Sequence, residues 1–414
     1  MSPSVPGSSA PSGQATGARP LQGITVVDLT VNIAGPSASL ILADLGARVI
    51  KVEPPGGDVS RSWHPQADGV ATVFAAFNRS KESVVIDAKT ERGRGLLHRM
   101  VADADVFVES MRPGKADALG LGWEQLSEIN PRLIYCSINA FGSVGPMAGV
   151  AGFDAIIQAY SGLMDLTGYP DAEPARVGGA VIDVGTGMWA ALGVVTAVLQ
   201  RHGDGCGRYV PVTMLGTAVS YLMHHLTTAK LTGVDPERLG TAQHNFAPYQ
   251  GVRALDRMVM VGINTDVMFA RAMAALGHPG LAADPRFATN GGRLRNRGEL
   301  VEEIEKVTSL LLSDDVVDRL TSANVPVSVV RPVGALACDP QMDELGLWGS
   351  TPEGVQLPRT PLASATAQTG SIPAAGADTL RVLRELGVEQ ELLSTLLDLG
   401  VIAEAVPPKQ KELT

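Results

Sequence analysis

The chain alternates short β-branched runs with helical stretches from residue 20 onward, and this alternation restricts its fold more than any other feature. The run GITVVDLT (23–30) precedes the helical stretch GPSASLILADLG (35–46), and ARVIKVEP (47–54) follows as a second strand. Pro36 suits the first turn of the intervening helix, and Gly46 suits its end. Strands that alternate with helices in this way predict a parallel, doubly wound α/β sheet covered by helices.

The alternation continues to about residue 224, so we predict a large Rossmann-like domain at residues 20–224. Further strands of this domain are predicted at SVVIDAK (83–89), ADVFVES (104–110), PRLIYCSINA (131–140) and GRYVPVTML (207–215). Residues 225–330 instead show a hairpin followed by helices, which predicts a smaller α+β domain. Residues 331–414 are predicted to form a Pro-rich linker and C-terminal helices that return to complete the large domain.

The chain shows no sign of export or of membrane insertion. Residues 1–19 are rich in Ser, Pro, Gly and Ala without an apolar core, which predicts a disordered tail and not a signal peptide. We expect no stretch to be long and apolar enough to span a bilayer. The cysteines Cys136, Cys206 and Cys338 form no C-x-x-C pair, which is typical of a reducing compartment. The expected location is the cytoplasm.

The charge pattern argues against nucleic acid as a partner. The formal net charge is −10 at pH 7, although a local basic pocket for an anion remains compatible with it. Lys51 and Arg61 flank a Pro-Pro-Gly-Gly turn, and Arg112 follows a predicted strand, where open α/β sheets bind ligands. These cations either meet phosphates or are solvated. His224 and His225 are adjacent and lack metal-ligand spacing, so no metal site is predicted.

Asp183 is the one acidic residue between residues 178 and 202, GGAVIDVGTGMWAALGVVTAVLQRH. Desolvating a carboxylate is costly, so it either caps the following helix or is there to react. We expect the helix dipole to lower its pKa and the helix N–H groups to support an oxyanion. We also expect Gly185 and Gly187 to leave room for a substrate. The residues alone leave both interpretations open.

The motifs, taken in order over residues 20–400, resemble class III CoA-transferases, the family of formyl-CoA and carnitine CoA-transferases. The resemblance rests on LQGITVVDLTVNIAGPSASLILADLGARVIKVEPPGGDVSR, FNRSKESVVIDAKTERGRGLLHRMVADADVFVESMRPG, INPRLIYCSINAFGSVGP, GFDAIIQAYSGLMDLTG, AVIDVGTGMWAALGVVTAVLQR, APYQGVRALD, LAADPRFATNGGRLRNRGEL and ANVPVSVVRPV.

The resemblance implies a catalytic role for Asp183, which would attack a donor acyl-CoA to form a mixed anhydride and then an aspartyl-CoA thioester. It implies an interlocked dimer, either a homodimer or a heterodimer with a paralogous subunit. Coenzyme A would bind as acyl-CoA substrate and product, with no metal and no membrane partner. The implied contacts to CoA are Asn32, Ile33, Arg61, Leu119 and Asn139, with Arg112 and Lys51 as further candidates.

Two alternatives to CoA transfer remain. The α-methylacyl-CoA racemases resemble this chain, but they pair the aspartate with a histidine where this chain has Phe153, which cannot move a proton. Asp154 is expected to satisfy local backbone groups and receives no catalytic role. The second alternative is a noncatalytic subunit of a heteromeric CoA-transferase, against which the intact Asp-Val-Gly-Thr-Gly segment argues.

Departures from the resemblance concern the substrate. The segment GTAQHNFAPYQG (240–251) has no tetraglycine loop, and Ile33 and Pro54 replace a glutamine and an arginine of the oxalate-linked formyl-CoA enzymes. Formyl-CoA and oxalate are therefore not the expected substrates. The apolar Ile33 favours a larger acyl or aryl acid, with succinyl-CoA as a candidate donor. Pro211 replaces a residue that is usually acidic in the family, and the sequence offers no reason for it.

Overall fold

The computed structural model describes residues 19–362 and 368–404. The predicted disordered tail lies outside the described residues except for Arg19, as do the last ten residues of the chain. Two compact units are present. The first comprises the residues up to 157, residues 179–221 and the residues from 343 onward, and the second comprises 158–178 and 222–342.

The strands, in chain order, are β1 (Thr25–Asp28), β2 (Arg48–Glu53), β3 (Gln66–Ala67), β4 (Val70–Ala71), β5 (Glu82–Ile86), β6 (Val106–Glu109), β7 (Ile134–Asn139), β8 (Arg208–Thr213), β9 (Tyr249–Arg253), β10 (Met258–Gly262), β11 (Val327–Val329), β12 (Trp348–Ser350), β13 (Gln356–Pro358) and β14 (Ile402–Ala403). The helices are α1 (Ala34–Asp44), α2 (Thr72–Asn78), α3 (Glu91–Ala102), α4 (Lys115–Ala118), α5 (Trp123–Ile129), α6 (Asp154–Ser161), α7 (Leu163–Leu166), α8 (Val181–Asp204), α9 (Met214–Thr232), α10 (Asp266–Ala275), α11 (Gly280–Ala283), α12 (Asn290–Arg295), α13 (Arg297–Thr308), α14 (Ser313–Ser322), α15 (Val333–Ala337), α16 (Pro340–Glu344), α17 (Thr379–Glu385) and α18 (Gln390–Asp398).

A seven-stranded sheet forms the centre of the first unit, in the order β14-β5-β2-β1-β6-β7-β8. All neighbours are parallel except β14, which runs antiparallel to β5. The chain first builds outward from β1 through β2 to β5 and then returns to place β6 on the other side of β1. The prediction of an α/β fold with a central, mostly parallel sheet is confirmed. The reversal between β1 and β6 is the position at which such sheets bind ligands.

Helices cover both faces of this sheet because successive strand residues point to opposite sides. Val27 faces a core cluster that includes residues of α3, α5, α17 and α18. Its neighbour Val26 faces a second cluster, in which residues of α1 and α8 lie against the strands. The C-terminal helices therefore pack on the sheet of the first unit, and β14 extends that sheet at one edge.

Helix α8 is long and apolar enough, by length and composition, to cross a membrane, so the expectation that no such stretch exists is wrong. Half of its most apolar window is buried in the structure. Ala190 and Val194 lie in the core beside α1 and the strands. A core helix of a soluble α/β unit satisfies the same criterion, and this packing accounts for the apolar sequence of α8.

The second unit is built on a three-stranded antiparallel sheet in the order β11-β10-β9. Val259 of β10 pairs with Val252 on one side and Val329 on the other. The core of this unit includes Phe269 and Leu300. Residues 158–178, which the sequence analysis placed in the large domain, cluster with this unit.

The hydrogen bonds of residues 158–178 show why they belong there. The side chain of Arg238 donates to the carbonyl oxygen of Asp165 over 2.7 Å and also bonds the carbonyl oxygen of Ala172. Gln158 closes the segment on itself by accepting from the backbone N–H of Val177 at 2.9 Å. The two contacts of Arg238 join positions more than sixty residues apart, so the local pattern carries no signal of them.

Candidate active site

Asp183 lies in the first turn of α8, where it does not act as the cap. The N-cap residue is Ala180, which carries no side-chain acceptor. Instead, Oδ2 of Asp154 accepts hydrogen bonds from the backbone N–H of Ile182 at 2.8 Å and of Asp183 at 3.2 Å. Asp154 therefore satisfies backbone groups as expected, but these groups belong to a helix start 28 residues further along the chain and not to its own segment.

The Asp183 carboxyl group is half-buried and stands close to a second acid. Burial, together with the negative charge of Asp154, raises the pKa of Asp183 to about 7 from an ordinary value of 3.8. The expectation of a lowered pKa is therefore wrong. A helix dipole contributes roughly 0.3–1 kcal/mol, less than the ~1.4 kcal/mol that corresponds to one pH unit. Desolvation and a like charge outweigh it here.

The N–H groups at the start of α8 are already occupied. Asp154 takes those of Ile182 and Asp183, and the N–H of Val184 donates to the carbonyl oxygen of Ala180. The expectation that these helix N–H groups support an oxyanion is therefore not met for these three. The N-cap residue of α1, Ile33, likewise makes no side-chain hydrogen bond to its helix.

The glycines after Asp183 serve close packing. The sequence analysis expected them to leave room for a substrate, and that expectation is wrong. A Cβ on Gly185 would lie 1.8 Å from the hydroxyl oxygen of Tyr221. A Cβ on Gly187 would lie 2.7 Å from Cβ of Ser37 and 2.9 Å from the carbonyl oxygen of Ala34. The space beside both glycines is thus filled by α9 and α1. The need for glycine at each position comes from these neighbours.

Tyr221 is a site residue that sequence reasoning missed. Its hydroxyl donates to the carbonyl oxygen of Val181 over 3.3 Å and lies against Gly185, so it stands over the first turn of α8. Burial and the charge of Asp154 raise its pKa, so the phenol is neutral at physiological pH. The only trace of this contact in the sequence is the small residue at position 185.

Asp183 lies on the face of α8 that packs against α1. Gly187 on this face is in close contact with Ala34 at the start of α1. Asp183 lies one turn earlier on the same helix face, because residues four apart in a helix are neighbours. The loop that contains Asn32 and Ile33 leads directly into α1. Asn32 adopts a left-handed backbone conformation with φ of 67°, which an asparagine tolerates better than most residues.

The same loop meets the segment that follows β6. The backbone N–H of Val31 donates to Oγ of Ser110 at 3.3 Å. That segment continues to Arg112, which is exposed, and to Leu119, which is half-buried. The loop with Asn32 and Ile33 therefore adjoins the segment that carries Arg112, at the reversal point of the sheet, where the topology favours a ligand. Leu119 follows helix α4 further along and packs against the core that includes Val27.

Asn139 ends β7 at the same edge of the sheet. Its Oδ1 accepts a hydrogen bond from the backbone N–H of Gly142 at 2.6 Å and so closes the turn after the strand. Pro211 lies on β8, the edge strand beyond β7, and pairs in register with Ser137 of β7. A proline is tolerated at such an edge because one side of the strand has no hydrogen-bonding neighbour.

Lys51 and Arg61 lie beneath these loops, in ion pairs. The Lys51 ammonium is fully buried, 2.7 Å from Oδ2 of Asp58, and donates to the carbonyl oxygen of Thr30 at 2.9 Å. Arg61 makes a forked pair with Glu53 at 2.6 and 2.7 Å and donates to the carbonyl oxygen of Pro373. This placement argues against the direct contact between Lys51 and CoA that the sequence analysis expected.

The buried carboxylate of Asp28 holds the loop after β1. Asp28 accepts from the backbone N–H and the hydroxyl of Thr30 and from the hydroxyl of Ser39. The ammonium of Lys81 lies 3.3 Å from Oδ2 of Asp28. Although burial alone would raise the pKa of Asp28, the charges of Lys81 and Lys51 and these hydrogen bonds lower it to about 2. The carboxylate of Asp28 that anchors this loop is therefore ionised at neutral pH.

In the described residues, 19–362 and 368–404, no group of three His, Cys, Asp or Glu side chains lies close enough together to hold a metal ion. The arrangement at Asp183 consists of a carboxylate in a partly desolvated position and the neutral phenol of Tyr221 over the same helix turn. A carboxylate of this kind is suited to covalent acyl chemistry.

Comparison with known proteins identifies the family. The sequence profile of CoA-transferase family III matches residues 21–379. The acetyl-CoA:oxalate CoA-transferase of Acetobacter aceti is 37% identical over 83% of this chain and 88% of its own length. The succinate–glutarate CoA-transferase of Agrobacterium fabrum is 37% identical over 79% of this chain and 84% of its own length.

The fold comparison agrees with the sequence comparison. A crystal structure of a CAIB/BAIF family protein from Brucella suis superposes with a TM-score of 0.80 at 37% identity, covering 89% of this chain and 99% of that one. The resemblance found in the sequence motifs is therefore confirmed over most of the chain. The chain belongs to CoA-transferase family III.

Proposed function

We propose that this protein transfers CoA from a donor acyl-CoA, with succinyl-CoA as the leading donor, to a carboxylic acid through an aspartyl-CoA thioester on Asp183. The observation that carries the proposal is the half-buried Asp183 carboxylate, which caps nothing and lies on the face of α8 that packs against the start of α1. Among the described residues, none donates a hydrogen bond to this carboxylate.

Each step of this reaction exchanges one carboxyl partner for another. The Asp183 carboxylate attacks the thioester carbonyl, and CoA leaves as thiolate, which gives a mixed anhydride. The thiolate then attacks the Asp183 carbonyl, which forms the aspartyl thioester and releases the donor acid as its carboxylate. The acceptor carboxylate reverses both steps and restores Asp183. No net proton is consumed, so the site needs to orient the reactants and exclude water.

The raised pKa of Asp183 supports this role. A carboxylate that is destabilised by burial is a stronger nucleophile than a solvated one, yet with a pKa of about 7 much of it is still ionised at neutral pH. Backbone N–H groups at the start of α1 are candidates to stabilise the oxyanion, since Ile33 provides no side-chain cap there.

For CoA itself, we propose contacts with Asn32, Ile33, Arg112, Leu119 and Asn139 at the edge of the sheet. Arg112 is exposed and is the cation of this set that can meet a phosphate group. Lys51 and Arg61 act one layer below, where they hold the loops through Asp58, Thr30 and Glu53. This assignment differs from the sequence-based one only for Lys51 and Arg61, which here hold the loops and do not contact CoA.

We propose a dicarboxylic acid as the acceptor. The two reported relatives are named for oxalate and for succinate with glutarate. Oxalate is the smallest of these acids, and the apolar Ile33 in the loop after β1 argues for a longer one. A four- or five-carbon dicarboxylate is compatible with the relatives' names and with Ile33.

The test is trapping of the covalent carboxylate. The protein is incubated with a panel of acyl-CoAs that includes succinyl-CoA, quenched with hydroxylamine and digested for mass spectrometry. A hydroxamate on the peptide that carries Asp183, together with its loss in Asp183→Asn, is the expected result. The single purified chain should also produce glutaryl-CoA or a related thioester when the acid is added.

Other outcomes identify the alternatives. Full transferase activity in Asp183→Ala would refute the proposal. Incorporation of solvent deuterium at the α-carbon of an acyl-CoA, without transfer, would instead indicate a racemase. Activity that appears only after a paralogous chain is added would indicate a noncatalytic subunit.

We also propose a dimer, homomeric or with a paralogous subunit. Met188, Leu192 and Leu199 are more than half exposed and lie on one face of α8, because their spacings of four and eleven residues are close to whole helical turns. An apolar stripe of this kind on a soluble protein marks a surface that is covered by another chain. The interlocked arrangement follows from the family resemblance.

A further inference from the structure

The start of α8 depends on a side chain from another helix. Asp154 is 7% exposed and opens α6, and its Oδ2 accepts from the N–H groups of Ile182 and Asp183. A carboxylate at this place does the work of an N-cap, since Ala180 has no acceptor of its own. The backbone of the proposed nucleophile is thereby held by a second acid.

This arrangement also sets two negative charges close together. Oδ2 of Asp154 lies 3.2 Å from the backbone nitrogen of Asp183, so its charge is next to the residue that carries the second carboxylate. Repulsion between like charges is stronger in a partly buried position than in water. It acts on Asp183 only while Asp183 is ionised.

The proposed reaction removes this repulsion at its first step. In the mixed anhydride and in the aspartyl thioester the Asp183 carboxyl group is uncharged, and the negative charge has moved to the CoA thiolate or to the released acid. Hence a fixed charge on Asp154 destabilises the resting carboxylate more than it destabilises either covalent state. The difference favours formation of the acylated enzyme.

We infer that Asp154 is a positioning residue of the proposed reaction, which holds the start of α8 and whose negative charge favours the uncharged, acylated forms of Asp183 over its free carboxylate. This inference rests on the proposed function. It assigns Asp154 a role that the sequence analysis withheld, although Asp154 touches no reacting atom.

The surroundings of Asp183 leave Asp154 as the charge that acts on it. Burial and Asp154 are the two causes of its raised pKa. From α9, the ionisable group is Tyr221, whose own raised pKa keeps it neutral. From the start of α1, the nearest residues to Gly187 are Ala34 and Ser37, neither of which titrates in this range.

The experiment separates the charge of Asp154 from its hydrogen bonds. Asp154→Asn keeps an acceptor oxygen for the start of α8 but removes the charge, whereas Asp154→Ala removes both. The matched control is Asp398→Asn, which removes an exposed carboxylate at the end of α18. Two readouts are taken from pH 5 to pH 9: the ¹³C resonance of the Asp183 carboxyl carbon, assigned with Asp183→Asn, and the single-turnover rate of Asp183 acylation by succinyl-CoA.

Asp154→Asn is expected to lower the titration midpoint of Asp183 by about one pH unit or more in both readouts. It should also reduce the equilibrium ratio of acylated to free enzyme at pH 8 by about tenfold, with a melting temperature close to that of the wild type. Asp154→Ala should show the same change in midpoint and, in addition, a lower melting temperature. Asp398→Asn should match the wild type throughout.

An unchanged midpoint in Asp154→Asn overturns the electrostatic part of the inference, and equal melting temperatures for the Asn and Ala variants overturn the capping part. The carbon titration needs no acyl-CoA. If the wild type forms no adduct on Asp183 with any donor, the proposed function fails, and the role of Asp154 in acylation fails with it. If adducts form and the midpoint does not move, only the inference fails.

Discussion

At the scale of single residues, Asp183 shows that position decides ionisation. An aspartate in water has a pKa near 3.8, and the first turn of a helix would lower it, yet burial and Asp154 raise it to about 7. The ionised form is therefore destabilised in the folded chain. The stabilisation that protonation provides is complete below about pH 4 and is lost as the pH rises through about 7.

This linkage predicts the stability of Asp183→Asn, in which the neutral amide replaces the destabilised carboxylate. At pH 8 the variant should be more stable than the wild type by roughly 1–3 kcal/mol, discounted for partial solvent exposure, and the two should converge near pH 4. Urea unfolding at both pH values measures the difference. A constant difference across the pH range would contradict the assigned ionisation. Asp398→Asn is the control and should show no such dependence.

The cations of the site also show the limits of residue-scale prediction. The sequence places Lys51 and Arg61 on either side of the Pro-Pro-Gly-Gly turn, but it does not show which charges face solvent. Lys51 is enclosed by Asp58 and Thr30, and Arg61 is held by Glu53 and Pro373. Pro373 lies more than three hundred residues away, so no local pattern reveals that the guanidinium is occupied.

At the scale of elements, the pair α1–α8 positions the first turn of α8, which carries Asp183. This pair depends on Gly187, because a Cβ there would lie 2.9 Å from the backbone oxygen of Ala34 and 2.7 Å from Ser37. Backbone cannot move aside as a flexible side chain can. The glycine is therefore required by the close approach of the two helices.

Gly187→Ala is expected to destabilise the fold by about 1–3 kcal/mol and to reduce Asp183 acylation, since the helices must separate to admit the methyl group. The matched control is Gly203→Ala in the last turn of the same helix, where a Cβ meets nothing within 4 Å. That variant should gain about 0.5–1 kcal/mol from helix propensity. Thermal unfolding of both variants measures the contrast, and equal effects of the two substitutions would contradict the packing role of Gly187.

Helix α8 also shows what an apolar sequence does and does not reveal. Its composition predicts burial on all sides, and by length it would even cross a bilayer. In the folded unit one side packs on α1 and the sheet, while Met188, Leu192 and Leu199 remain exposed. Which side is covered depends on the neighbouring elements and not on the helix itself.

At the scale of the whole molecule, the exposed stripe of α8 predicts self-association. Light scattering should give about twice the chain mass of 43.2 kDa for a homodimer. Leu199→Glu should shift the protein to the monomer, because a carboxylate in an apolar interface is costly to desolvate. Val144→Glu is the control, since Val144 is 82% exposed in the loop after β7 and is not part of α8. A wild-type protein that is monomeric at all accessible concentrations would contradict this prediction.

The strand order of the first unit is visible only in the structure. The alternation of strands and helices predicts a doubly wound sheet, and the structure shows that its reversal falls between β1 and β6. Residues 158–178 likewise could not be assigned from the sequence. Their place in the second unit depends on Arg238, which bonds to Asp165 and Ala172 from a distant part of the chain.

The sequence by itself determined the α/β class, the family and the candidate nucleophile Asp183, because hydrophobic period, turn residues and ordered motifs are local properties. Only the tertiary structure decided that Asp154 caps α8 and shifts the ionisation of Asp183, that Gly185 and Gly187 receive Tyr221 and α1, and that Lys51 is buried. Each of these depends on contacts between residues remote in sequence. Desolvation, like-charge repulsion and close packing act through space, so the fold had to be known before their effects could be assigned.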